Sequence, residues 1–165
     1  MNIDLDEDDL FDIHSPVCLS DQLNDSDIAL SHKTPIVVSY ALVDLGKTNY
    51  HFMQEFTHRD TQEYFRMMKT ISSSTINDLM DNPHKHHFYR TDIRGNLKNV
   101  LRQIDPDCIK TNPLIYHFAL YTEDQADRET GVRSPRIYFM LGLYGMIYIL
   151  FFDPFHEINP LKQRP

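Results

Sequence analysis

The stretch Arg136-Ile-Tyr-Phe-Met-Leu-Gly-Leu-Tyr-Gly-Met-Ile-Tyr-Ile-Leu-Phe-Phe-Asp-Pro-Phe-His156 decides the fold of this chain. Two runs of β-forming residues, Ile137–Leu141 and Met146–Phe152, flank a short segment that contains two glycines, and this pattern predicts a β-hairpin. Both runs are apolar at nearly every position, so we expect two central strands covered on both faces. Asp153 and Pro154 end the second strand because proline has no N–H to donate.

The length and the charge distribution indicate one domain with an acidic leader. The chain has 165 residues and a net charge of −8, and nine of its 24 acidic residues precede Ser31, where there is no lysine or arginine. This leaves 15 acidic residues against 16 basic ones in the remainder, which is therefore nearly neutral. We predict an acidic, disordered tail at 1–33, one α+β domain at 34–160 and a short C-terminal tail at 161–165.

The order of hydrophobic patterns predicts a mostly antiparallel sheet with two or three packed helices. We expect a hairpin formed by Ile36–Val43 and Tyr50–Phe56, and then a helix that begins at Asp60 with Glu63 completing a capping box. A second short helix follows Ser72–Thr75. The remaining predicted elements are a short strand at His84–Arg90, a helix at Asn96–Ile104, a strand at Leu114–Tyr121 and the terminal hairpin.

Several of these segments together resemble a known family. They are Val43-Asp-Leu45, Ser72-Ser-Ser-Thr-Ile-Asn-Asp-Leu79, the strand after His86 and the stretch from Arg136 to Pro160. The chain resembles a family of small, functionally uncharacterised bacterial proteins that end in a hydrophobic hairpin followed by Asp-Pro-x-His. The element order is also loosely similar to that of ribosome-dependent RNase toxins of the RelE type. The first resemblance implies a fold, and the second is an analogy of architecture that implies no particular residue role.

Histidine is the main chemical clue, because the chain has nine of them and three cluster at His84, His86 and His87. A metal-independent RNase needs a general base, a general acid and a cation that stabilises the charge developing on phosphorus. We expect such a site where the strands bring these residues together; the candidate catalytic residues are His86, His87, Tyr89, Arg90 and His156, with His117 and Arg136 as further members. The candidate nucleic-acid-binding residues are Arg94, Lys98, Arg102 and Arg136, of which Arg94, Lys98 and Arg102 are spaced four apart.

Other interpretations of the same residues stay open. His-x-His spacing at His84 and His86 also suits a metal ion, yet no carboxylate lies nearby in sequence, and we predict neither a metal nor a cofactor. Asp153 and His156 also suit a structural role, with Asp153 accepting backbone N–H groups at the strand exit or pairing with Arg136.

The first functional hypothesis is a toxin-like effector of a bacterial conflict or defence system that acts on RNA. The second is a non-catalytic interaction module that binds a protein partner through its sheet or its acidic leader, as an inhibitor or accessory subunit would. The expected partners are RNA and a protein, either an antitoxin or the target of the acidic leader. No basic region followed by an apolar stretch opens the chain, and the longest apolar run contains a turn signal. We therefore expect a cytoplasmic protein without a membrane segment.

Overall fold

The computed structural model describes residues 33–53, 55–107, 110, 113–142 and 145–160, with His86 described by its backbone alone. The predictions for the leader and for residues 161–165 lie outside these residues. The elements in chain order are β1 (Val37–Ser39), α1 (His58–Ile71), α2 (Ile76–Asp81), α3 (Pro83–His86), β2 (Tyr89–Arg90), α4 (Gly95–Ile104), β3 (Ile115–Ala119), β4 (Arg136–Leu141) and β5 (Met146–Asp153).

The five strands form one sheet in the order β1-β5-β4-β3-β2. The pairs β2–β3, β3–β4 and β4–β5 are antiparallel, while β1 runs parallel to β5. The predicted α+β fold with a mostly antiparallel sheet is therefore confirmed. β4 and β5 form the predicted terminal hairpin, and both strands lie inside the sheet.

Each face of the sheet carries its own hydrophobic core, because side chains alternate between the two faces. Ile137, Phe139 and Phe152 point to one face and pack with α1 and α2. Tyr138 and Phe151 point to the other face and pack with the apolar stripe of α4. That stripe consists of Leu97, Val100, Leu101 and Ile104, as predicted. The central strands β3, β4 and β5 are consequently buried along nearly their whole length.

The helix α1 begins three residues earlier than predicted. Its N-cap is Thr57, whose side chain accepts the backbone N–H of Asp60 while the Asp60 carboxylate accepts the backbone N–H of Thr57. The prediction that Asp60 is the cap and Glu63 completes the box was wrong, because an aspartate can also fill the third helical position of a capping box. The second helix, α2, begins after Thr75, whose side chain caps it in the same way with Asp78.

The predicted N-terminal hairpin is absent from the described residues. β1 is only three residues long and pairs with β5, and the described residues of the segment 50–56 form no strand. The reason lies in Asp44, whose carboxylate accepts N–H groups from Gly46, Lys47 and Thr48 and bends the chain into a loop. The backbone of this loop then bonds to β5 itself, through Asp44 N to Leu150 O and Phe152 N to Tyr50 O.

The predicted strand at His84–Arg90 was mostly wrong. Pro83–His86 forms a single helical turn because proline favours the first position of a helix, and β2 contains only Tyr89 and Arg90. His87 ends this turn in the left-handed conformation, with φ of 46°. Among the described residues, no helix has the length and apolar character needed to cross a membrane.

Candidate functional site

Three strands and two flanking segments bring polar side chains together on the α4 face of the sheet. Tyr89 lies opposite His117, and His117 lies opposite Tyr138. In the next row, Ala119 lies opposite Arg136. We name the group formed by His87, Tyr89, His117, Arg136 and His156 the histidine–arginine cluster.

His117 lies at the centre of the cluster. Its ring centroid is 6.0 Å from that of Tyr89, 5.4 Å from that of Tyr138 and 6.3 Å from that of His156. Its Nδ1 and the Thr91 hydroxyl are 2.7 Å apart and form a buried hydrogen bond. Burial, reinforced by the positive charge of Arg136, lowers the pKa of His117 to about 3. The His117 imidazole is therefore neutral at pH 7.

Arg136 supplies the positive charge of the cluster although it is only 3% exposed. Its Nη1 donates to the carbonyl oxygens of Tyr121, Ser134 and Pro135 and to the Ser134 hydroxyl. These bonds hold the guanidinium in the curve of the chain that enters β4. Burial lowers the pKa of Arg136, whereas the nearby Asp153 charge opposes that shift. Arginine nevertheless stays protonated in proteins, so the cluster keeps one positive charge.

Asp153 lies opposite Arg136 in the sheet, but the two side chains form no ion pair. The Asp153 carboxylate instead accepts the backbone N–H groups of Glu157 at 3.0 Å and Ile158 at 2.9 Å. This is the first of the two structural roles expected for Asp153, and it excludes the direct pairing with Arg136. Burial raises the pKa of Asp153 to about 6.

His156 enters the cluster because the turn after β5 folds back over the sheet. The Asp153 bonds hold this turn, and His156 adopts a left-handed backbone conformation with φ of 60°. The side chain is 7% exposed, and burial together with the Arg136 charge lowers its pKa to about 4. Left-handed conformations are uncommon for residues other than glycine, and they occur often at functional sites. Two members of the cluster, His87 and His156, have this conformation.

His87 and Tyr89 form the outer side of the cluster. Both side chains are partly buried, and their ring centroids are 6.4 Å apart. Burial, followed by the charges of Arg136 and His84, lowers the pKa of His87. The Tyr89 hydroxyl is 2.8 Å from Nδ1 of the exposed His84, which extends the polar group to the protein surface. A ligand would reach the buried part of the cluster from solvent past these partly exposed residues.

The structure brings only part of the predicted site together. His87, Tyr89, His117, Arg136 and His156 meet, whereas Arg90 is exposed and alternates to the other face of β2. The His86 side chain lies outside the described residues.

Apart from Arg136, the predicted nucleic-acid-binding residues lie along α4. Arg94 precedes the first turn of the helix as its N-cap, Lys98 and Arg102 follow on the helix, and Arg94 and Arg102 are exposed. None of the three forms an ion pair with a described residue. Arg94 also lines a pocket of about 350 Å³ at the start of α4, together with Thr91 and Ile158.

Sequence reasoning did not single out Tyr138 and Thr91. The Tyr138 hydroxyl is buried and has no hydrogen-bond partner among the described residues. A period of two places Tyr138 on the face of Arg136, and this signal would have identified it once the strand was assigned. No group of three or more histidine, cysteine, aspartate or glutamate side chains in the described part of the chain is arranged to hold a metal ion.

Comparison of the chain with protein-family models, with curated proteins and with solved structures finds no match in any of the three. The fold and the site therefore define only an α+β protein with a buried histidine–arginine cluster. The family resemblance of the terminal hairpin stays an expectation from sequence.

Proposed function

We propose that this chain is an effector that acts on RNA, with the histidine–arginine cluster as the site that engages one phosphodiester. The observation that supports this proposal best is the meeting of four separate chain segments around a buried guanidinium that has no carboxylate partner among the described residues. In such a site Arg136 would stabilise the negative charge that develops on phosphorus. A neutral imidazole of His117 or His156 would accept the proton of the attacking hydroxyl, and no metal would be needed.

Arg94, Lys98 and Arg102 would hold the RNA backbone beside the cluster. Each is a cation free of ion pairs with described residues, and phosphate contacts of this kind contribute much of the affinity for nucleic acids. Replacing Lys98 and Arg102 with glutamine should weaken RNA binding and reduce its dependence on salt concentration. The proposal places this activity in the bacterial cytoplasm, where a toxin-like effector would act on cellular RNA.

A cleavage assay with the full chain tests the proposal. We expect purified protein to cleave RNA in the presence of EDTA, and His156→Asn to lower the rate about 100-fold or more, because loss of a general base costs 10² to 10⁴. Asparagine suits this position because it tolerates the left-handed backbone. The matched control is His58→Asn on the exposed start of α1, which should leave the rate unchanged. Absence of both RNA binding and cleavage would refute the proposal.

A second function is favoured by the open edge of the sheet at β1. Among the described strands, β1 pairs only with β5, and Val37 and Tyr40 beside this edge are 53% and 50% exposed. An extended peptide of a partner protein can add a strand to such an edge. This alternative predicts that Val37→Lys changes the proteins crosslinked to the chain in cells, while His156→Asn does not. The opposite pattern, in which only the histidine variant has an effect, would contradict it.

A further inference from the structure

The cluster contains more hydrogen-bonding nitrogens than its protein neighbours use. Arg136 donates only through Nη1, and its Nε and Nη2 make no hydrogen bond with a described residue. The ring nitrogens of His87 and His156 likewise have no such partner in the described part of the chain. His117 uses Nδ1 with Thr91, and its Nε2 bonds to none of the described residues. The fully buried side-chain atoms without a partner among the described residues are Arg133 Nε and the Tyr138 hydroxyl, and none of these cluster nitrogens is one of them. The nitrogens are therefore not sealed inside the protein and can donate to a bound ligand.

Charged and titratable groups approach the cluster from several elements. Arg136 and Tyr138 come from β4, His87 and Tyr89 from β2 and the turn before it, and His156 from the turn after β5. Among the described carboxylates, Asp153 acts on Arg136, and both of its oxygens already accept backbone N–H groups. Beyond these groups, Glu157 acts on Asp153 and Tyr50 acts on Tyr138. The groups that face the centre are therefore donors around one positive charge.

We propose that the histidine–arginine cluster binds a single tetrahedral oxyanion, the phosphate group of a single-stranded nucleic acid. The inference rests on the proposed function and specifies its ligand. A guanidinium with free N–H groups and imidazoles from three separate segments can donate to a phosphate from several directions, whereas a bidentate carboxylate would need only the guanidinium. A metal cation is disfavoured by the charge of Arg136.

The depth of the cluster selects a single strand over a duplex. Arg136, His117 and His156 are 3%, 6% and 7% exposed, and only His87 and Tyr89 reach toward solvent. The phosphates of a duplex lie on the outside of a stiff rod and can contact exposed cations such as Arg94 and Arg102. A single strand can turn one phosphate inward and stack a splayed base on an aromatic ring, for which Tyr89 is placed.

Binding should also take up protons. In the free protein His117 and His156 are neutral at pH 7, because burial and the Arg136 charge disfavour the imidazolium form. A bound oxyanion offsets the charge of Arg136 and accepts a hydrogen bond from protonated imidazole, so it raises the pKa of both histidines toward neutral pH. One imidazole can then carry a proton while the other stays neutral as the proposed general base. Affinity should therefore increase as pH falls, by at most tenfold per pH unit for each proton taken up.

Sulfate is the probe for this site, since it is tetrahedral and does not titrate near neutral pH. We would titrate the full chain with sulfate between pH 7.5 and 6.0 and follow the imidazole signals of the histidines by NMR. We expect the His117 and His156 signals to shift with a common saturation curve that tightens as pH falls, while the signals of exposed His58 stay unchanged. Absence of a shift at His117 and His156, or an equal shift at His58, would overturn the proposal.

Variants and a nucleic-acid arm complete the experiment. His87→Asn, at the outer side, should weaken sulfate binding at least threefold in a protein whose circular dichroism and melting show it to be folded; unchanged binding in this variant would count against the site. A short single-stranded RNA should compete with sulfate, and the same sequence annealed within a long, stable duplex should not. Competition by both would contradict the single-strand selection. If sulfate and single strands bind but RNA is never cleaved, the oxyanion site stands and the catalytic part of the proposed function fails.

Discussion

Replacing His117 with asparagine should make the protein less sensitive to acid. Burial beside Arg136 lowers the pKa of His117 to about 3, whereas an unfolded histidine titrates near 6.5. Between these values the unfolded chain binds a proton that the folded chain does not, so stability falls as pH falls. The full difference between the two pKa values corresponds to about 5 kcal/mol in the free energy of unfolding. About 3 kcal/mol of this stability is lost when the pH falls from 7.5 to 4.5.

Asparagine is the suitable replacement because its amide can occupy the position of Nδ1 and keep a hydrogen bond to Thr91. We would measure the free energy of unfolding by urea denaturation at pH 7.5 and 4.5. His117→Asn loses ring packing, so its stability at pH 7.5 should be lower than that of the natural chain. Its loss of stability on acidification should nevertheless be smaller by about 3 kcal/mol.

The comparison with the natural chain isolates His117. His156 contributes acid sensitivity of the same sign, whereas Asp153, whose pKa is raised to about 6, contributes the opposite sign. Both groups remain in the variant, so their contributions to the pH dependence cancel when the variant is compared with the natural chain. His58→Asn serves as the control and should show the pH dependence of the natural chain. If His117→Asn and the natural chain lose the same free energy between the two pH values, the burial of a neutral His117 is refuted.

Two further predictions concern the framework around the site. Asp60→Ala should destabilise the protein by about 3 to 5 kcal/mol, because the buried Asp60 carboxylate pairs with Arg133 and also accepts from Thr57 and Tyr121. Asp78→Ala removes the same capping-box position from the exposed start of α2, and it should lower the free energy of unfolding far less in the same urea experiment. Equal losses in the two variants would contradict the role of Arg133 and Tyr121. Gly145→Ala should cost more than Gly131→Ala, although both glycines have similar φ values of 73° and 76°. An added Cβ at Gly145 would lie 2.6 Å from Thr34 Oγ1, whereas at Gly131 it would meet no atom within 4 Å. Both variants share the conformational cost of about 1 to 2 kcal/mol for a left-handed alanine. Equal melting temperatures of the two variants would exclude the clash.

Local sequence patterns correctly predicted those secondary-structure elements that are determined by the residues of one short segment. The continuous apolar runs at Ile137–Leu141 and Met146–Phe152 led to the terminal hairpin, and the 3.6-residue period of Leu97, Val100, Leu101 and Ile104 led to α4. These patterns are reliable because one strand pair or one helix face determines them. The same argument explains why the helix start after Thr75 was found.

The errors fall where distant contacts override a local pattern. The alternation of aromatic residues in 50–56 suggested a strand, yet Phe52 and Phe56 pack from a loop against Tyr64 and Phe152. The parallel pairing of β1 with β5 joins residues more than 100 positions apart, and no local signal specifies it. Predicting the cluster required this topology as well, because Tyr89, His117 and Arg136 become neighbours only through the order of the strands.

The kind of polar group that is buried separates the cluster from the rest of the interior. Elsewhere among the described residues, buried Asp44, Asp60 and Asp153 have their oxygens occupied by specific donors, and the Nε of Arg133 is the one buried side-chain atom outside the α4 face without a partner. Packing alone would favour apolar side chains at the start of β4, since a buried charge without a partner costs free energy. The chain instead places a guanidinium, three imidazoles and the Tyr138 hydroxyl, which has no partner among the described residues, at one end of one face. Two of those imidazoles belong to residues with a left-handed backbone conformation. An arrangement that opposes stability in several independent ways at one place is typical of a ligand site, and this is the physical reason for assigning function to this cluster before any other surface of the molecule.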